Sequence, residues 1–282
     1  MQHPWVAAIM KKARGSEANS LELHCGGSLI HPEWILTAAH CVDELFVPRE
    51  KMLIVLGRDN ITNNTEGIQR SIRDIVLHDK YTGFIKNGNL IQMAYYDVAV
   101  VRLNETVESD FWNYGVTVHP ICLPEKAEDD MNHLETSGVV VPGYASEKFQ
   151  SLNALRFLKF TVYPIDYCNQ KHNVSDVSEH KTKIVNNLPQ LFNEGSVFCA
   201  GERSLSEGLC RGDSGSPVMI DDVSQLRITQ VGLVHGGTQE CVNNNFPAVF
   251  VRITNYDILN FIYIHVFGRE IPNPGKSHLE HE

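Results

Sequence analysis

Three side chains in this sequence sit where their types could do chemistry. Ser214 lies in Cys210-Arg211-Gly212-Asp213-Ser214-Gly215-Ser216-Pro217, among small residues that let backbone and substrate approach closely, as a nucleophile requires. His40 ends Leu36-Thr37-Ala38-Ala39-His40 and precedes Cys41, following the strand-like Cys25-Gly26-Gly27-Ser28-Leu29-Ile30; a histidine so placed is a candidate base. Asp97 heads the apolar run Val98–Leu103 and is expected to be buried. A buried carboxylate costs several kcal/mol unless satisfied, and the N–H of a neutral imidazole is one fitting partner. Taken singly, each has a plainer reading: a hydrogen-bonded structural histidine, a glycine-rich turn, an aspartate capping a turn.

The elements that must hold these residues are short. Val6-Ile9, Gly27-Ile30, Leu53-Leu56, Ile72-Leu77, Val98-Leu103, Val139-Val141, Leu155-Val162, Val218-Ile220, Ile228-Val234 and Ala248-Ile253 are strand-sized, rich in β-branched residues and punctuated by Gly, Pro and Asn. That pattern predicts an all-β, antiparallel fold. Ile258, Leu259, Ile262 and Val266 recur at helical spacing, which predicts a C-terminal helix over 256–267. The polar stretch 269–282 with Pro272, Pro274 and Gly275 reads as a tail.

At 282 residues with 43% apolar content the chain can bury a sizeable core. A net charge of −10 leaves no basic surface for phosphates, so nucleic acid is not an expected partner. No apolar stretch is long enough to span a bilayer, and Met1-Gln2-His3-Pro4-Trp5 lacks the order of a secretory signal, so the chain reads as a fragment or a mature-type domain. Seven cysteines without a C-x-x-C pair point to disulfides in an oxidising, extracellular compartment. Despite thirteen histidines there is no H-E-x-x-H or comparable ligand spacing, so a metal-dependent hydrolase is disfavoured and no cofactor is expected. Asn60-Ile61-Thr62, Asn63-Asn64-Thr65, Asn104-Glu105-Thr106 and Asn173-Val174-Ser175 are glycosylation acceptors in a secreted chain.

The His, Asp and Ser segments in that order, with Pro120-Ile121-Cys122-Leu123-Pro124, resemble the chymotrypsin/trypsin-like serine peptidase family from His3-Pro4-Trp5 to the terminal helix. The opening residues, the stretch from Tyr81 to Tyr95 and Cys210-Arg211-Gly212 are similar to complement-type and arthropod modular proteases. The resemblance implies two six-stranded β-barrels, about 5–118 and 119–255, in one peptidase domain over 1–268. It implies a catalytic triad of His40, Asp97 and Ser214 and an oxyanion hole from the N–H groups of Gly212 and Ser214. It also implies disulfides Cys25–Cys41, Cys168–Cys199 and Cys210–Cys241. Cys122 is left over, free or tethering an upstream regulatory chain, and Val139 and Ile220 stand where a fourth bridge is usual.

Departures from the family qualify the expected activity. No Ile-Val-Gly-Gly-like start precedes Pro4-Trp5, and in the family a new α-ammonium pairs with the carboxylate matching Asp213; without it the chain is expected to be zymogen-like. The substrate strand reads His235-Gly236-Gly237 where Ser-Trp-Gly is usual. Gly208 and Leu209 match the pocket base, and Gly237 and Ala248 its walls, implying an uncharged pocket unless Glu207 or Glu240 reaches it. The expected function is a secreted endopeptidase acting on proteins in a proteolytic cascade; the alternative is a catalytically silent binding module.

Overall fold

In Val6-Ala-Ala-Ile-Met10 every residue is buried, because alternate side chains of one strand enter two different cores. Ala7 and Ile9 join Leu29, Ile35, Ile54, Val101 and Leu103, whereas Val6, Ala8 and Met10 meet Val55, Ile61 and Tyr144. The strand over Ala99–Leu103 divides in the same way, Ala99 and Val101 entering the first cluster and Val100 a second one shared with Leu233, Val251 and Ile262. Strands covered on both faces therefore lie where two halves of the molecule meet.

The computed structural model describes residues 3–12, 20–63, 66–83, 85–87, 90–92, 94–108, 118–128, 134–135, 138–144, 154–172, 184–185, 192, 195–201, 208–222, 227–236 and 247–273, the side chains of 85–87, 90–92, 172, 184–185 and 222 excepted. The first half comprises β1 (Val6–Lys12), β2 (Leu21–His31), β3 (Trp34–Thr37), β4 (Met52–Leu56), β5 (Ile68–Arg70), β6 (Ile72–Leu77), β7 (Ile85–Asn87), β8 (Leu90–Gln92) and β9 (Ala99–Leu103). The second comprises β10 (Val139–Gly143), β11 (Arg156–Val162), β12 (Ile184–Val185), β13 (Val197–Gly201), β14 (Pro217–Asp222), β15 (Arg227–Gly236) and β16 (Ala248–Arg252). Helices are α1 (Ala39–Val42), α2 (Ile165–His172) and α3 (Tyr256–Phe267).

β10-β11-β13-β16-β15-β14 close into a six-stranded antiparallel barrel around Val141, Phe160, Phe198, Val218, Val231 and Phe250. The other sheet runs β5-β4-β1-β2-β3-β9-β6. Its two edge strands are consecutive in the chain, separated by Ser71 alone, so the sheet must curl until its edges meet. The half expected as the first six-stranded barrel is thus a curled half-barrel of seven segments, whereas the second half closes. A small sheet, β12-β8-β7, has a parallel β12–β8 pair that the sequence did not suggest.

The terminal helix forms as its spacing predicts. Asn255 caps it by accepting from the N–H groups of Asp257 and Ile258, and Gly268 at φ 67 supplies the left-handed stop. Its buried face (Ile258, Leu259, Ile262) packs on the cluster between the two halves. Val139 and Ile220 lie in one core cluster, one step from the cross-strand pair Val140–Met219, so two apolar side chains fill the place of a bridge. Among the described residues no helix is long and apolar enough to cross a membrane.

Candidate active site

β3 and β9 pair with Thr37 opposite Ala99, so the residues after β3 and before β9 emerge at the same end. Those residues are His40, in α1, and Asp97. The His40 backbone N–H donates to Asp97 Oδ1 at 2.8 Å, and His40 Nδ1 lies 2.6 Å from Asp97 Oδ2. Tyr96, φ 47, makes the turn that aims the carboxylate inward, a conformation uncommon for a bulky residue. It is braced: its ring stacks on His78 at 4.7 Å, and its hydroxyl donates to Asp257 Oδ2 at 3.2 Å, where Lys80 also donates. The start of α3 thereby supports the Asp97 turn, which no local motif announced.

The Asp97 side chain is fully buried, yet it stays ionised. Burial pushes its pKa up, but the His40 and His235 imidazoles outweigh that and hold it well below the usual carboxylate range. An ionised carboxylate only accepts, so both imidazoles present Nδ1–H to it. His235 is the surprise. Its Nδ1 also lies 2.6 Å from Asp97 Oδ2, its side chain is fully buried, and its ring is 6.5 Å from that of His40. It occupies the irregular step between the pairs Val234–Phe250 and Gly236–Val249, a bulge that re-aims one side chain. The expectation that placed His235 in the substrate pocket is corrected to this extent: its ring is turned onto Asp97.

The Ser214 turn is clamped between the two halves. Ser214 O accepts from Gly26 N–H of β2 at 2.8 Å, and Gly215 N–H donates to Val234 O of β15 at 2.8 Å. Ser216 N–H donates to Asp213 O and Val234 N–H to Ser216 O, each at 3.0 Å. Cys41 Sγ lies 3.6 Å from Ser214 O and 3.7 Å from His40 Nε2, so one sulfur is neighbour to both. Ser214 is partly exposed, whereas Gly212, Asp213, Gly215 and Ser216 are buried. Asp213 N–H donates to Cys210 O at 3.0 Å with Gly212 at φ 106, the turn that needs glycine in its third position.

Gly215 is held at φ 79, and a Cβ there would sit 2.3 Å from Thr37 Oγ1 and 2.6 Å from Gly26 O. Gly215→Ala is therefore expected to lower the thermal midpoint by several degrees, the backbone conformation alone costing on the order of 1–3 kcal/mol. An unchanged melting curve would contradict this packing.

Cys25–Cys41 and Cys168–Cys199 are disulfides. Cys210 is disulfide-bonded, while its expected partner Cys241 lies outside the described residues. Cys122 is a free, exposed thiol. In the expected pocket, Leu209 is in the second-barrel core with Ala248 packed against it, Gly208 is buried, Gly236 pairs with Val249, and Gly237 is not among the described residues. Among the described residues, two sets of three metal-type donors fall within 4.8 Å of one another: Cys25, His40 and Cys41, and His40, Asp97 and His235. The first has its sulfurs tied in a disulfide. In the second, both nitrogens stand 2.6 Å from one oxygen, against about 3.3 Å for two ligands around a tetrahedral zinc, so the geometry is that of hydrogen bonds.

Burial, with the charge of Lys11, pulls the nearby His24 down to a pKa of about 4, against a hydrogen bond to the Cys41 backbone; burial also lowers His3 and His78. Unfolding returns these rings to about 6.5, so between those values the unfolded chain binds more protons. Stability is then complete above about pH 6.5 and declines towards about pH 4. The urea midpoint should fall over that window, and His24→Gln should flatten the slope; a midpoint rising on acidification would refute the assignment.

A closed β-barrel and a curled half-barrel sheet, with a serine, a histidine and a buried carboxylate where the two halves meet, are the arrangement of the chymotrypsin-like class. A family model described as Trypsin matches residues 1–260, and the chain belongs to that trypsin-like serine peptidase family. It is 28% identical over 274 residues to the clotting factor G beta subunit of Tachypleus tridentatus, covering 95% of this chain and 77% of that protein. It is 30% identical over 269 residues to the urokinase-type plasminogen activator of Gallus gallus, covering 92% of this chain but 54% of the relative. It is 28% identical over 256 residues to coagulation factor XII of Bos taurus, covering 90% and 36% respectively.

Proposed function

We propose that this chain is a serine endopeptidase that hydrolyses peptide bonds through an acyl-enzyme. The observation that carries the reading is the 2.6 Å contact between His40 Nδ1 and an ionised, fully buried Asp97, with His40 Nε2 and Ser214 O touching the same sulfur. With its proton fixed on Nδ1, His40 keeps a lone pair on Nε2 to accept the Ser214 hydroxyl proton as Oγ attacks the carbonyl carbon. The N–H groups of Gly212 and Ser214 receive the charge that develops on the carbonyl oxygen. His40 then gives the proton to the leaving amine, and water repeats the sequence to release the acid. The base needs no metal ligand set, and the uncharged Gly208, Leu209 and Ala248 favour an apolar or small residue before the scissile bond.

Protein substrates in an extracellular cascade are supported by the clotting and plasminogen-activating relatives and by the disulfides. The exposed Cys122 thiol fits a bridge to an upstream regulatory chain, and exposed Asn104 a glycan. The second imidazole on Asp97 is the observation that favours the alternative, a silent binding module. Covalent labelling with a fluorophosphonate separates the two: the enzyme is labelled and Ser214→Ala is not, whereas absence of labelling of the folded, activated chain sinks the peptidase reading.

A further inference from the structure

Asp213 precedes Ser214 and follows Gly212, so whatever holds its carboxylate holds the whole turn. The residue is 1% exposed. Its Oδ2 accepts the Cys210 N–H at 2.8 Å and lies 2.9 Å from Arg156 Nη2, which also donates to Gly208 O at 3.1 Å. Arg156 begins β11 and pairs across the sheet with Gly143, the last residue of β10. A Cβ on Gly143 would fall 2.2 Å from Asp213 Oδ1. One strand end thus leaves out its side chain to seat the carboxylate, and the residue opposite it supplies the positive charge.

We infer that Arg156 is the built-in counter-ion of Asp213 and holds the 210–216 turn in its reacting shape, the task that a newly cut chain terminus performs in the family pattern. A charge-assisted pair between a buried carboxylate and a half-buried guanidinium is costly to break from one side, because the carboxylate then loses the charged donor that Arg156 supplies. With Arg156 neutralised, Asp213 regains solvation only by leaving its seat, and Gly212 and Ser214 move with it. The turn then no longer needs a free α-ammonium to be ordered, contrary to the zymogen-like expectation drawn from sequence. Arg156 acts through Asp213 and is a positioning residue.

The consequence for activity rests on the peptidase reading, but the ion pair does not, and the test separates them. The 282-residue chain bearing a short N-terminal extension, which removes any family-like terminus, is compared with Arg156→Met, Arg156→Lys and Gly143→Ala. Fluorophosphonate labelling of Ser214 and amide exchange over 210–216 are both measured, with melting curves to check folding. The extended chain should be labelled; Arg156→Met and Gly143→Ala should be slowed roughly 100-fold or more while folded, and Arg156→Lys should recover much of the rate. Labelling of Arg156→Met at the parent rate would overturn the inference. If the extended parent is not labelled while a form restored to a family-like free terminus is, the inference is overturned; if neither form is labelled, the peptidase reading fails and exchange decides the pair: faster exchange at 210–216 in Arg156→Met supports it, and equal exchange overturns it.

Discussion

Ser214→Ala and His40→Ala should each lower the peptidase rate by roughly 10⁵–10⁶-fold, and the double substitution should be little worse than either alone. The expectation follows from the shared geometry: His40 matters as a base only if Ser214 has a proton to give. Asp97 fixes His40 through two contacts, 2.8 Å at the backbone N–H and 2.6 Å at Nδ1, and removing the serine leaves that support without an object. Measuring kcat and KM on a chromogenic peptide ester, with melting curves as control, checks the point. Additive losses in free energy would mean that the two residues do not act as one unit, whatever their family positions. KM should stay near its parent value, because neither side chain lines the expected pocket over Gly208, Leu209 and Ala248.

The parts legible in sequence were those in which neighbours in the chain are also neighbours in the chemistry. Gly212-Asp213-Ser214-Gly215 is one turn, Ala38-Ala39-His40-Cys41 one short helix entry, and Asp97 the head of one strand, so each could be read locally. Apolar runs gave most of the strands. Trp34–Thr37 and Val197–Gly201 escaped, as did the two- and three-residue strands Ile68–Arg70, Ile85–Asn87, Leu90–Gln92 and Ile184–Val185, which are too short to show a pattern, and the eight-residue helix Ile165–His172 has a weakly apolar face that periodicity does not flag. The remaining site features depend on register across strands, which sequence spacing does not encode. That Gly143 lies opposite Arg156 is set by the β10–β11 pairing, and that His235 faces Asp97 is set by a bulge one residue long. A slip of one residue in either would send those side chains to the other face. The left-handed Tyr96 was equally hidden, since its support comes from Asp257, 161 positions away.

Asp97→Asn should be about as damaging as theory allows for a change of one atom, lowering the rate by roughly 10⁴-fold. The carboxylate takes three N–H groups: the His40 backbone at Oδ1, and the Nδ1 atoms of His40 and His235 at Oδ2. An asparagine offers one accepting oxygen and one NH₂. If its oxygen serves the two rings, its NH₂ faces the His40 backbone N–H, a donor that cannot change. If its oxygen serves the backbone, both rings meet a donor and must carry their protons on Nε2, so His40 turns an N–H towards Ser214 and ceases to be a base. The second imidazole makes this worse than for a lone histidine, because two rings must change tautomer together. His235→Ser, which retains one hydroxyl donor, should by contrast keep the rate within about 10-fold, since His40 keeps both of its own contacts. Stability gives an independent readout with a definite sign: the Asp97 pKa is depressed in the folded chain, so its contribution is complete above the ordinary carboxylate pKa of about 4 and is lost only as pH falls below it, a loss that Asp97→Asn should not show. Rates for Asp97→Asn within 100-fold of the parent, in a protein that melts normally, would show that this carboxylate does not set the His40 tautomer.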